Sequence, residues 1–235
     1  IAAEAVQQGH AVTAVVRSAA KGEMLQQTVP CNILVADVTK PSSLEDCCNG
    51  FDVVISALGK SVSINDSSNA TFEQIDLHAN TNILAAAQKA SVKKFIYISA
   101  FHAERYPHLT YFSVHQAFSE RLIRSGFNYS ILKPPALFSA FLDLIDLARK
   151  GRLVHMGKGD KLTNPIYEGD LARICVQSIE QNNVMIEAGG NEVLSRKQIN
   201  ELIQEAIKPE KKIRTISLGF VKSMLPLLKL FNKNM

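Results

Sequence analysis

The stretch IAAEAVQQGHAVTAVVR at residues 1–17 decides the fold. Residues 2–8 are mostly good helix formers, Gly9 stands where a helix C-cap glycine belongs, and the apolar run 11–16 follows directly. A helix that ends in glycine and runs into a β-branched strand is the second half of a βαβ unit. In such a unit a glycine-rich turn precedes the helix, and a dinucleotide's pyrophosphate rests on the helix N-terminus. The first strand and its phosphate loop are therefore expected upstream of Ile1.

Working outward, strand and helix patterns alternate. Strand candidates fall at 11–16, 32–36, 53–56, 95–99 and 129–132, with helical patterns at 19–27, 42–48, 69–90 and 111–125; Ser42, after Pro41, reads as a cap. The central strands are almost wholly apolar, as burial on both faces of a parallel sheet requires. Beyond Pro134 the alternation loosens into 140–150, a short strand at 152–156, then 168–181, 184–188, 195–207 and a final apolar stretch. The reading is an α/β protein with a Rossmann-type, doubly wound, mostly parallel sheet lacking its first strand. Residues 1–135 form the nucleotide-binding core, and 136–235 form a small C-terminal substrate lobe interleaved with the sheet edge.

Composition narrows the function. A chain of 235 residues with 46% hydrophobic content can bury the core of one α/β domain plus an appendage. Lys and Arg total 26 against 22 for Asp and Glu, a net +4 spread without a basic cluster, which argues against nucleic acid as a partner. Cys31, Cys47, Cys48 and Cys175 show no C-x-x-C or metal-ligand spacing, so no metal is expected, and they read as thiols of a reducing compartment. No signal-like opening and no apolar run of about 18 residues is present, which gives no membrane span and makes the cytoplasm the expected compartment. The run 216–231, interrupted by Pro226 and carrying only Lys222 and Lys229, reads as an apolar helix. Its expected place is against the C-terminal lobe, a second copy in a homodimer or a protein partner, rather than on a membrane surface.

In a doubly wound sheet the ligand lies in the crevice at the carboxyl ends of the strands. The second strand ends at Arg17, with Lys21 four residues on. An acidic residue there would accept from a ribose 2′-hydroxyl, whereas arginine with a nearby lysine suits a 2′-phosphate, so NADP is favoured over NAD; the alternative is a solvated strand-end arginine. Asp37 could accept from an adenine amino group or cap the next helix. Ala57, Leu58 and Gly59 are small enough on average to let a cofactor lie close to backbone. Ser99 and Tyr111 could polarise a carbonyl and exchange its proton, and His115 shares the helix face of Tyr111.

The segments A-D-V-T at 36–39, I-S-A-L-G at 55–59, I-D-L-H-A-N-T-N-I-L-A-A-A at 75–87, V-K-K-F-I-Y-I-S at 92–99, S-G-F-N-Y-S-I-L-K-P-P at 125–135 and N-P-I-Y-E-G-D-L-A at 164–172 come in a recognisable order and spacing. As a set, they make the chain resemble an atypical short-chain dehydrogenase/reductase of the NmrA-like, NAD(P)H-binding branch. The resemblance implies a cofactor across the carboxyl edge of the sheet, Arg17 at the 2′-phosphate, Ala57, Leu58 and Gly59 along the adenosine or ribose, and Pro134 near the nicotinamide. Standard members use a Tyr-x-x-x-Lys pair, whose lysine binds the nicotinamide ribose and lowers the tyrosine pKa.

Here His115 takes the lysine position; V-H-Q-A-F at 114–118 resembles the A-H-E-x-F of this branch. Histidine can still bond a ribose hydroxyl but, neutral near pH 7, helps a phenolate less. Its alternative is a helix-face histidine bonded to a neighbouring backbone group. Lys133-Pro134 stands where the family has Arg-Pro, and Pro135, Ala136 and Leu137 replace small polar residues, so an apolar pocket is expected. Leu137, Phe138, Phe141 and Leu142 would line it, or form ordinary core. The expected function is an NADP-dependent oxidoreductase acting on a small apolar carbonyl, enone or quinone-like substrate. A non-catalytic NADP-dependent redox sensor or regulatory protein is the alternative, with a scaffold that needs no nucleotide as a third reading.

Overall fold

The computed structural model describes residues 1–63, 66–219 and 223. Most of the apolar run at 216–231 therefore lies outside the described residues. The chain divides into two compact units, one of residues 1–60, 69–135 and 167–188, the other of 61–68, 136–166 and 189–235.

The first unit opens with α1 (Ala2–Gln7), β1 (Thr13–Val16), α2 (Ala19–Gln26), β2 (Asn32–Val35) and β3 (Val53–Ser56). Gly9, at φ +87°, closes α1 as the left-handed residue of a Schellman motif: its N–H bonds Val6 O, and the next N–H, of His10, bonds Ala5 O. The unit continues with a π-helical turn (Glu73–Ala79) running into α3 (Asn80–Lys89), then β4 (Lys94–Ile98), α4 (Thr110–Ile123) and β5 (Asn128–Lys133).

All pairings in this unit are parallel: β2 with β1, and β3–β4–β5 with a strand from further along the chain. The strands of this unit thus fall into a two-stranded sheet, β1–β2, and a larger one in the order β3–β4–β5 and that later strand, as in a doubly wound Rossmann-type fold. The core lies between the central strands and their helices. Phe95, Tyr97 and Ile131 meet Leu84, Ala87, Phe118 and Leu122, with the Phe118 ring 4.6 Å from that of Tyr97 and 6.1 Å from that of Phe95. Each of the large apolar side chains among them contributes about 1.5–3 kcal/mol by leaving water.

Two expectations change in this unit. The helix expected at 42–48 is only a 3₁₀ turn, Pro41–Leu44, followed by turns. Pro41 occupies its first position, Gly50 at φ +78° ends the segment, and Ser42 makes no cap; Ser43 Oγ instead accepts from Asp37 N–H at 2.8 Å. The helix expected at 69–90 carries the extra-wide turn at Glu73–Ala79 instead of running as a uniform α-helix.

The chain does not divide by one cut at 135. Residues 168–188 supply α6 (Glu168–Gln177) and β8 (Val184–Glu187), and β8 pairs with β5 as the fourth strand of the larger sheet, because a parallel partner needs such a helical crossover.

The second unit holds α5 (Leu142–Arg149), β6 (Val154–Met156), β7 (Leu162–Thr163), β9 (Leu194–Ser195), α7 (Arg196–Ile207) and β10 (Arg214–Ile216). β6 pairs with β10 in parallel, and β7 with β9 antiparallel. A reciprocal capping box between Ser195 and Gln198 starts α7. The expected pocket stripe splits: Phe141 is buried with the Arg196 guanidinium 5.5 Å from its ring centre, whereas Phe138 is 49% and Leu142 59% exposed. No helix among the described residues is long and apolar enough to cross a membrane, and no cluster of candidate metal ligands occurs among them.

Candidate functional site

The carboxyl ends of β1 and β2 leave the sheet side by side, since Val16 pairs with Val35 and Ala36 N–H bonds Val16 O. Arg17 and Asp37 follow. Asp37 is already committed: its carboxylate accepts the Thr39 hydroxyl at 2.7 Å and the Thr39 N–H at 3.1 Å, and these bonds, with Lys40 and Arg17 nearby, hold its pKa below the usual carboxylate value. Asp37 thus closes a local turn and does not cap the next helical segment, Pro41–Leu44, whose N-cap is Lys40 with no side-chain cap. Arg17 is exposed and makes no hydrogen bond or ion pair among the described residues; Lys21 is exposed in α2. A bare guanidinium at this strand end, with the neighbouring acid occupied elsewhere, fits a phosphate ligand.

At the end of β3, buried Ser56 donates to Asn80 Oδ1 at 2.5 Å, and Asn80 Nδ2 donates to Leu58 O at 3.3 Å and Asp76 O at 3.0 Å. The loop at 57–60 is thereby pinned to the π-helical turn, with Ala57 and Gly59 exposed. Lys60 N–H donates to Asp76 Oδ2 at 3.1 Å, and a Cβ on Gly59 would stand 3.1 Å from Asp76 Oδ1, so glycine is the residue this close approach accommodates most easily. These short, open backbone positions fit the flat body of a dinucleotide.

Behind that loop lies a buried polar cluster. Asp76 is 0% exposed, and burial pushes its pKa up to about 6 despite the opposing Lys60 N–H and charge. Its Oδ1 is 3.3 Å from His115 Nε2, yet the ring N–H is not aligned with it and Oδ1 has no hydrogen-bond partner among the described residues. The other ring nitrogen, Nδ1, is 2.6 Å from the Tyr97 hydroxyl. Burial pushes His115 down to about 4 and Tyr97 well above the usual phenol value, so at neutral pH the histidine is uncharged and the tyrosine protonated. Both nitrogens of His115 thus face protein groups, side chains rather than backbone.

Tyr111 packs edge-on against the His115 ring at 4.7 Å and the Phe72 ring at 5.5 Å, and Lys60 Nζ lies 6.0 Å from the Phe72 centre. Burial, reinforced by Asp76, pushes the Tyr111 phenol up to about 12. The structure brings Tyr111 and His115 together as the helix spacing requires. Ser99 is placed differently: its hydroxyl is 3.1 Å from Ser119 Oγ, which in turn donates to His115 O at 2.8 Å, and no hydrogen bond among the described residues links Ser99 to Tyr111. Pro134 follows β5, its carbonyl accepting Phe101 N–H at 3.3 Å. Ser56, Asp76, Asn80 and Tyr97 were not singled out from the sequence. The available signal was Asp76 and Asn80 in I-D-L-H-A-N, polar residues four apart inside a helical pattern.

The family model for NAD(P)H-binding proteins matches residues 1–182. The chain belongs to this NAD(P)H-binding family. The chain is 30% identical over 133 residues to the photosystem II assembly factor Ycf39 of Synechocystis, covering 57% of this chain and 39% of that one. It is 27% identical over 249 residues to the chloroplastic divinyl chlorophyllide a 8-vinyl-reductase of Arabidopsis thaliana, covering 96% of this chain and 58% of that one. The chain therefore spans well under two thirds of either curated relative.

Among solved structures, the NADPH-dependent quinone oxidoreductase QOR2 of Escherichia coli, complexed with NADPH, superposes with a TM-score of 0.74 at 20% identity, over 97% of this chain and 77% of that one. The Citrobacter triphenylmethane reductase complexed with NADP(H) gives 0.67 at 18% identity, over 92% and 73%. At such identities the likeness is one of fold: the Rossmann-type α/β architecture is shared.

Proposed function

We propose that the protein binds NADP(H) in preference to NAD(H) and reduces a small apolar enone, quinone-like compound or carbonyl. The observation that carries this reading is Arg17, an exposed guanidinium with no hydrogen bond or ion pair among the described residues, at the strand end where a doubly wound fold receives the adenine ribose. Arg17 and Lys21 would hold the 2′-phosphate, and the backbone at Ala57, Leu58 and Gly59 would lie along the adenosine or ribose. Bound NADPH supplies the hydride.

What the chain's own residues add is positioning. Tyr111 is a protonated phenol with no lysine one helical turn on, and His115 is neutral and turned inward, so neither is poised as a strong acid or base. Activated double bonds and quinones, which need little acid help, suit such a site better than an unactivated carbonyl, with the proton taken from water or from a substrate-side acid. Ser99 could polarise a substrate oxygen only by exchanging its bond to Ser119. Pro134 would face the nicotinamide, and the expected compartment is the cytoplasm.

The second reading is a non-catalytic NADP-dependent binding protein. It is favoured by the missing lysine together with a relative named as an assembly factor. NADPH oxidation by the protein across a carbonyl, enone and quinone panel, with binding stoichiometry measured in parallel, separates the two. Binding of one NADPH per chain without turnover of any panel member would sink the reductase.

A further inference from the structure

The loop after β4 runs along the end of β5: Ser99 N–H bonds Leu132 O at 2.7 Å and Phe101 N–H bonds Pro134 O at 3.3 Å. Both segments therefore stand at carboxyl strand ends, where ligands of this fold class bind. There one carboxylate serves three basic side chains. Glu104 lies 3.4 Å from Lys133 Nζ, 3.5 Å from His102 Nδ1 and 3.8 Å from Arg105 Nε. None of these distances reaches the roughly 2.7–2.9 Å of a tight charge-assisted hydrogen bond. Glu104 itself stays ionised at neutral pH, held below the usual carboxylate value by its own backbone N–H and then by Lys133 and His102.

The partners are unequal. The Lys133 side chain is 14% exposed, its stem packed away and its ammonium directed to Glu104, whereas Glu104 is 44% exposed and can turn outward. Glu187, the register partner of Lys133 on β8, makes no ion pair with it. His102 holds a left-handed backbone at φ +56°, unfavourable for a residue with a Cβ, and stacks its ring 3.6 Å from that of Phe101, which places an apolar surface beside the cations.

Resting on the reductase reading above, we propose that Lys133, His102 and Arg105 form a subsite for a carboxylate on an otherwise apolar substrate, with Glu104 as the internal counter-ion that the substrate displaces. The substrate class narrows to enones or quinone-like compounds that carry a carboxylate apart from the double bond that is reduced. Its carboxylate pairs with Lys133, and its apolar body lies against Phe101 and the His102 ring.

The test measures binding of 2-naphthoate and its neutral counterpart 2-naphthamide to the full chain by ligand-observed NMR, without turnover. Wild type is expected to bind the naphthoate about tenfold more tightly than the amide, the worth of one charge-assisted contact. Lys133→Gln should abolish that preference. Glu104→Gln, which removes the competing carboxylate but keeps the cations, should tighten naphthoate severalfold and leave the amide unchanged; it decides the matter if Lys133→Gln fails to fold. Equal binding of the two probes to wild type, or no gain in Glu104→Gln, overturns the subsite. Naphthoate preference without any NADPH-dependent turnover would leave the subsite standing and remove the reductase.

Discussion

Replacing Asp76 by asparagine removes a buried negative charge while keeping the size of the side chain and an acceptor for Lys60 N–H. The folded protein holds the Asp76 proton up to a pKa of about 6, whereas the unfolded chain releases it near 3.8. Between those values the unfolded chain binds fewer protons, so stability falls as pH rises, and above pH 6 the full cost of about 3 kcal/mol is present. Below 3.8 both forms are protonated and the cost vanishes.

Asparagine carries no charge at any pH, and its amide can face His115 Nε2 if the histidine moves its proton to Nδ1, where the Tyr97 oxygen can accept it. Asp76→Asn should therefore stabilise the fold by about 2–3 kcal/mol at pH 8 and by about 1 kcal/mol at pH 4.5. The pH dependence due to buried His115 is largely common to both proteins and drops out of the difference. Urea unfolding of wild type and variant at the two pH values measures this. A stabilisation equal at both, or a variant less stable than wild type at pH 8, would refute the account of Asp76 as an ionised, poorly compensated carboxylate.

Arg17→Ala is expected to weaken NADP binding about ten- to a hundredfold while leaving NAD binding nearly unchanged, as removal of one charged phosphate contact should; calorimetric titration with both cofactors checks it, and equal losses would move Arg17 away from the 2′-phosphate. Tyr111→Phe should lower NADPH-dependent turnover by less than about tenfold, because a phenol pushed up to about 12 offers little general-acid help; a loss of about a hundredfold or more with unchanged cofactor affinity would make it the acid. Phe118→Ala, emptying a fully buried site between Phe95 and Tyr97, should cost about 3–5 kcal/mol in urea unfolding, and a cost below about 1 kcal/mol would mean that the α4–sheet contact is not the core.

The sheet was legible in the sequence because its signals are local. β-branched and aromatic runs at 13–16, 53–56 and 94–98 and the glycine after α1 each report a backbone preference that tertiary packing reinforces. Segments whose form is set by distant partners were less legible. The wide turn at Glu73–Ala79 has an ordinary helical composition, and β8 reads as an isolated short apolar run until β5 is beside it. The antiparallel pair β7–β9 is two residues long on each strand, too short to show any alternation.

The site divides along the same line. The positions of Arg17 and of residues 57–59 at strand ends were legible because a strand end and a glycine are local signals, while their role toward a cofactor stays a proposal. Ser99, Tyr111 and His115 were located by spacing, but spacing says nothing of what each side chain faces. Ser99 is bound to Ser119, and His115 is bound by Tyr97 from the central strand and approached by Asp76 from the π-helical turn, contacts between residues 18 to 39 positions apart. The turn matters here, since its extra residue changes which side chains share a face with Asn80, and Asn80 fixes the loop whose Lys60 N–H reaches Asp76. A lysine at 115 would project a cation toward Tyr111. A neutral histidine with both nitrogens turned toward Tyr97 and Asp76 leaves that phenol without one, which is why the reductase proposed above is assigned substrates that are already activated.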